Sequence, residues 1–204
     1  MPFKKLIEPL KDVIDRKGFE APLPFQKKII SKIKGGAKIF GIGPDGCGKT
    51  TSLIISVVQK LKGQAFEDAP RALIFVKDKQ AALNLAEAFR EYTKQTDLRI
   101  YCVYDELNID TQRSELYVGT DIVIATPKRL NRVFYMNGID LNKLQLFIIE
   151  DAEFLFRNSN FGEATRITES LNRCQYLVFS TKYDSRFDRW RETFMYNSQV
   201  ISVT

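Results

Sequence analysis

The chain has 204 residues, 31 basic against 25 acidic side chains, a net charge of +6 and no histidine, a length that builds one well-buried domain and is short for two. The lack of histidine excludes His-based catalysis and His-ligated metal, and the three cysteines, Cys47, Cys102 and Cys174, are too far apart for a C-x-x-C metal site and suit a reducing compartment. No apolar run approaches the roughly eighteen residues of a membrane span, and the start, Met1-Pro2-Phe3-Lys4-Lys5 followed by Glu8, Asp12 and Asp15, has no signal-peptide core, so a single cytoplasmic domain without membrane integration or structural metal is expected.

In chain order, residues 3–17 place Leu6, Leu10, Val13 and Ile14 on one helical face, and Gly18 stops it. Phe25, Ile29, Ile30 and Ile33 predict a second helix from Pro24, where a missing N–H is harmless, and Gly35-Gly36 ends it. Residues 38–42 read as a short buried strand and 51–61 as an apolar-periodic helix. Between them lies Gly43-Pro44-Asp45-Gly46-Cys47-Gly48-Lys49-Thr50, which fits G-x-x-x-x-G-K-[ST] in the strand, loop and helix context that gives the pattern meaning. Glycines let backbone N–H groups turn onto phosphate oxygens, and the helix that follows adds its positive end. Lys49 would reach the outer phosphates and Thr50 would offer a hydroxyl to magnesium.

Short apolar strands are predicted at 71–76, 99–104, 121–125, 144–149, 176–180 and 199–203, and helices at 79–93, 110–118, 128–137, 162–172 and 185–196. This alternation implies an α/β fold, a mostly parallel sheet with helices on both faces and a ligand site beyond the carboxyl ends of its strands. Residues 63–70 form a polar loop, and Phe187, Trp190 and Phe194 form a core stripe. Glu150-Asp151-Ala152-Glu153 follows the strand at 144–149. Acids there either hold the metal of a P-loop enzyme or cap the next helix. Delivery to the same sheet edge as Lys49 favours the metal.

Together these motifs resemble those of the DEAD-box RNA helicases, specifically their first RecA-like domain, over nearly the whole chain. The resemblance implies one RecA-like P-loop NTPase domain over residues 1–204, ATP and Mg2+ as cofactors, and RNA as partner. Gly18, Phe19, Pro22, Pro24 and Gln26 match the adenine-reading segment, in which Gln26 hydrogen-bonds the base and an upstream aromatic, here Phe3, packs on it. Gly43, Asp45, Gly46, Cys47, Gly48, Lys49, Thr50 and the adjoining Thr51 take the nucleotide, Thr50 and Glu150 the metal, and Lys49, Glu150 and Asp151 the catalytic roles. Thr126-Pro127-Lys128-Arg129 resembles the T-P-G-R that grips the RNA backbone, and Lys77, Lys79 and Arg132 are further phosphate contacts, unless these cations are ordinary surface charge. Ser180-Thr181-Lys182 resembles S-A-T, which with Glu153 couples nucleotide state to RNA through Ser180 and Lys182.

The departures carry their own expectations. Glu150 and Asp151 exchange the two side-chain lengths of D-E-A-D, Lys182 stands at the second hydroxyl of S-A-T, and Asp105-Glu106 replaces a backbone-contacting Gly-Gly. ATP binding with weak hydrolysis and modest RNA affinity follows. The chain then reads as the ATP-binding domain of a divergent helicase or as a non-hydrolysing, ATP-dependent interaction module; an unrelated P-loop NTPase would not read adenine through Gln26. The second RecA-like domain needed for unwinding has no counterpart after Lys182, so another domain or a protein partner is expected to complete the site.

Overall fold

The computed structural model describes residues 2–157, 160–171 and 173–203. Its strands are β1 (Ile39–Ile42), β2 (Ala72–Phe75), β3 (Ile100–Val103), β4 (Ile122–Ala125), β5 (Leu146–Ile149), β6 (Gln175–Ser180) and β7 (Gln199–Ser202). They form one sheet in the order β3-β4-β2-β5-β6-β1-β7, every neighbouring pair parallel. All seven stand where the apolar runs predict them. Side chains alternate across a strand, so Ala72 and Ile74 of β2 enter one apolar layer while Leu73 and Phe75 enter the other.

The first layer is covered by α1 (Glu8–Arg16), α2 (Pro24–Lys34), α3 (Lys49–Lys60) and α4 (Lys79–Thr93), and the second by α5 (Ile109–Val118), α6 (Pro127–Tyr135), α7 (Asn160–Thr168) and α8 (Asp188–Arg191). Leu10, Ile29, Leu53 and Phe89 on one face, and Leu130, Phe187 and Trp190 on the other, are buried. Each such side chain contributes about 1.5–3 kcal/mol. Local chemistry sets the helix starts. Asp78 caps α4 by accepting from the Ala81 amide at 2.9 Å, Asn108 caps α5 through the Asp110 amide at 2.8 Å, and prolines occupy the first positions of α2 and α6.

Two predicted helices break up. The stretch 3–17 becomes a 3-10 turn, Pro2–Lys5, followed by α1, because Pro9 lacks an N–H and its ring clashes with the preceding turn, so a helix can begin near it but not run through it. Residues 185–196 become a 3-10 turn, one α-turn and a closing turn in which the Met195 amide reaches back to the Trp190 carbonyl at 2.8 Å. Aromatic packing holds the segment on the sheet face: Trp190 stacks on Phe161 at 4.6 Å, Phe194 packs on Tyr176 at 4.8 Å, and the Trp190 and Phe194 rings touch each other at 5.4 Å. The helix predicted at 162–172 is α7, and its last predicted residue, Asn172, lies outside the described residues.

Strand order divides the carboxyl edge of the sheet into two halves. β5, β6 and β1 are neighbours, which gathers residues 150–153, 180–182 and 43–50 at one end. β3, β4 and β2 are neighbours at the other, gathering residues 104–106, 126–128 and 77–79. At the opposite edge, buried Asp121 pins the amino ends of the second group through Arg71 at 2.6 Å and Arg99 at 2.9 Å.

Candidate functional site

At the end of β1 the chain turns through Gly46 (φ +79°) and Gly48 (φ +95°), values that side chains with a Cβ rarely adopt. Gly48 is also held close: a Cβ there would lie 2.8 Å from Nε2 of Gln26. The buried Lys49 ammonium donates to the carbonyls of Gly43 at 2.7 Å and Pro44 at 3.1 Å, while the Asp45 carboxylate, 3.4 Å away, is exposed. Cys47 is half-buried against Gly43, and Thr51 is half-buried in the first turn of α3. Gln26 is buried beneath the loop, its Oε1 accepting from the Leu23 amide at 2.9 Å, and Phe19 and Leu23 are exposed. Phe3 is not brought to this group. Its turn is tied to the other end of α2, where Lys34 donates to the Lys5 carbonyl at 3.0 Å, and the Ile7 amide donates to Gln59 near the end of α3.

From the end of β5, buried Glu150 meets the P-loop: Oγ1 of Thr50 donates to its Oε1 at 2.8 Å. Burial pushes the Glu150 carboxyl up to about 7, with the Thr50 hydrogen bond opposing and the neighbouring Asp151 charge reinforcing the rise. Asp151 has left-handed backbone (φ +47°), and burial raises its pKa as well. Glu153 turns toward β6 and accepts from Ser180 Oγ at 3.0 Å, from Thr181 Oγ1 at 2.6 Å and from the Thr181 amide. Burial pushes Glu153 up, but these donors outweigh it and hold the carboxyl below its ordinary value. Lys182 joins this cluster through its carbonyl, which lies 2.7 Å from Ser180 Oγ, while its side chain is exposed. The second hydroxyl therefore comes from Thr181, one position earlier than the motif alignment placed it. A hydroxyl adjacent to the vacated position was the signal in the sequence.

The raised Glu150 carboxyl has a thermodynamic consequence. Between its ordinary value of 4.5 and its folded value of about 7, the folded protein holds a proton that the unfolded chain has released. Stability then falls as pH rises through that window and levels off above it, a penalty on the order of 3 kcal/mol at most. In urea titrations of the nucleotide-free chain in chelator, Glu150→Gln is expected to gain roughly 1–3 kcal/mol on wild type at pH 8 and almost nothing at pH 4, below the ordinary carboxyl value. Equal gains at both pH values would disprove the assignment.

The other half of the edge forms a cleft of about 240 Å3 lined by residues that include Lys77, Lys79, Tyr104, Glu106, Thr126 and Lys128. The starts of α4 and α6 both border it. Thr126, buried in its wall, has a hydroxyl without a hydrogen-bond partner among the described residues. Lys77 and Lys128 are exposed. Arg129 is not: it is buried, with Nε donating to Gln112 at 2.8 Å and the guanidinium to the Leu107 carbonyl, so its charge braces α6 against α5 and the segment before it.

A family model described as DEAD/DEAH box helicase matches residues 23–187, from within the Gln26 segment to beyond Thr181. The chain belongs to the DEAD/DEAH box helicase family. Its curated relatives include the ATP-dependent RNA helicase dbp10 of Schizosaccharomyces pombe, 31% identical over 82% of this chain and 20% of that protein. Another is the ATP-dependent RNA helicase ddx54 of Dictyostelium discoideum, 30% identical over 97% of this chain and 18% of that protein. The chain spans about a fifth of the length of these relatives. Among solved structures, a DEAD box protein from the hyperthermophile Methanococcus jannaschii superposes with a TM-score of 0.88 at 21% identity, over 96% of this chain and 53% of that one. The fold is thus that of a DEAD-box RecA-like domain, and family membership implies ATP as the nucleotide.

Proposed function

We propose that this chain is the ATP-binding domain of an ATP-dependent RNA helicase, one RecA-like unit over residues 1–204 that binds Mg·ATP firmly and turns it over slowly. The observation that carries it is the meeting of the P-loop with the acids of β5 through Thr50 and Glu150 at 2.8 Å, inside the stretch that matches the helicase family. Phosphates would take the loop amides and the start of α3, and the Lys49 ammonium would exchange the Gly43 and Pro44 carbonyls for phosphate oxygens. Thr50 and Glu150 fit Mg2+, a hard cation that needs only one or two protein oxygens beside nucleotide phosphates. No cluster of three or more acidic, cysteine or histidine side chains among the described residues competes with them. Bound there, the ion would neutralise charge developing on the phosphates. Asp151 is the group left to orient water.

RNA as the second ligand is supported by the cleft. Two helix N-termini, an unpartnered buried hydroxyl at Thr126 and the exposed Lys77 and Lys128 suit a phosphate backbone and offer no base-specific readout. A second RecA-like domain, or a partner protein acting in its place, is part of the proposal, since cations supplied from outside are worth about a thousandfold or more in phosphoryl transfer. The three free cysteines accord with a cytoplasmic setting, and no helix among the described residues is long and apolar enough to cross a membrane.

Adenine selectivity tests the reading. In competition against a fluorescent ADP, the wild-type chain is expected to prefer ATP over GTP by at least about tenfold, roughly one directed hydrogen-bond pair. Gln26→Ala should bring the two nucleotides within about threefold while folding is retained. An unchanged preference would place the base elsewhere.

A further inference from the structure

The cleft beside the nucleotide site is lined by as many acids, Asp78, Asp105 and Glu106, as bases, Lys77, Lys79 and Lys128. Glu106 forms an ion pair with Lys79, whose ammonium also lies over the Tyr104 ring at 5.6 Å, and the Glu106 hydrogen bond raises the Lys79 pKa above its ordinary value. Asp105 lies 3.9 Å from Arg132. Asp78 is occupied as the cap of α4. Among the described residues, Lys77 and Lys128 make no ion pair, so two of the four cations around this face are already matched by carboxylates of one short segment. Both pairs are exposed, with side chains 43–63% accessible. Exposed pairs are weak and screened by salt, so they can open rather than block the face for good.

We propose that Asp105 and Glu106 act as an electrostatic latch on this face, holding Lys79 and Arg132 so that an RNA strand must displace carboxylates before its phosphates gain those cations. The inference rests on the RNA reading above and deepens it: the segment sets how tightly RNA is held and how steeply the binding responds to salt. Binding a strand to unpaired cations releases counterions from the nucleic acid, and the slope of log affinity against log salt is about −0.7 per phosphate neutralised on a single strand. A cation taken from its own carboxylate gives less net gain, because the freed acid stays beside the phosphate. The latch therefore flattens the salt dependence as well as lowering the affinity. Neither residue touches the nucleotide group.

The test compares the wild-type chain with Asp105→Asn/Glu106→Gln and with Asp105→Gly/Glu106→Gly, titrating fluorescein-labelled oligouridylate by anisotropy across a salt series. The isosteric pair guards against misfolding in the glycine pair. Both variants are expected to bind about tenfold tighter at low salt, with a slope steeper by up to about 1.4, and with ATP affinity unchanged. Lys79→Met should then weaken RNA binding far more in the isosteric variant than in wild type, a coupling that a merely structural role for the acids would not produce. Equal or weaker RNA binding by the variants, with an unchanged slope, would overturn the latch and leave the RNA reading standing. If neither wild type nor variants bound oligouridylate at low salt, the RNA reading itself would fall.

Discussion

Lys49→Ala is expected to lower ATP affinity by on the order of a hundred- to a thousandfold, the largest effect of any single substitution here. The ammonium is buried at the centre of the loop, within reach of the carbonyls of Gly43 and Pro44 and of no carboxylate closer than 3.4 Å. A hydrogen bond to a charged group is worth roughly 1.5–3 kcal/mol, so two such bonds to phosphate oxygens are worth about 3–6 kcal/mol, and giving up the Gly43 and Pro44 carbonyls leaves a net loss of about 3–4 kcal/mol. The backbone amides and the dipole of α3 survive the substitution, so residual millimolar binding should remain. Titration with a fluorescent ATP analogue reads the loss, and circular dichroism checks that the loop, deprived of the ammonium that bridges its carbonyls, still folds. Retention of affinity within a few-fold would show that the phosphates lie elsewhere.

The exchange Glu150→Asp with Asp151→Glu is expected to raise RNA-stimulated phosphate release by on the order of a hundredfold while changing ATP affinity less than about threefold. Glu150 is long enough to reach Thr50 directly, at 2.8 Å. Each swapped methylene moves a carboxylate by about 1.5 Å, and displacement of a reacting group by about 1 Å lowers rates by around two orders of magnitude. Shortening residue 150 would leave room between its carboxylate and the hydroxyl, and lengthening residue 151 would extend its carboxylate toward a water. Affinity rests mainly on the loop amides, Lys49 and Gln26, which the exchange leaves alone. Release is best measured as a ratio to wild type with and without RNA, with Lys49→Ala as the zero. An unaltered rate would mean that the order of the two acids does not limit turnover.

The family of this chain was legible because its nucleotide chemistry is written locally. A P-loop needs consecutive residues, the strand before it and the helix after it are set by short apolar runs, and the acids follow β5 within one turn. Gln26 and Gly48 were legible only as members of two separate motifs; that the Gln26 side chain lies 2.8 Å from where a Cβ at Gly48 would stand needed coordinates. The inward turn of Arg129 was not legible in the sequence, for a clear reason. A long cation near the cleft-lining Thr126 can extend outward or fold inward, and only the acceptors at Gln112 and Leu107, brought by α5 and the segment before it, turn it inward.

Composition, periodicity and motif spacing determined the seven strands, the two-faced sheet and the glycine-rich loop between β1 and α3, since each depends on neighbours within a turn or a strand. Tertiary structure alone decided which of them meet. The placement of β6 between β5 and β1 joins Glu153 to Thr181 rather than to the side chain of Lys182, and the placement of β4 between β3 and β2 sets Glu106 against Lys79. Strand order is chosen by pairing between segments far apart in the chain, and ion pairs by where long side chains find acceptors once that order is set; neither leaves a period in the sequence.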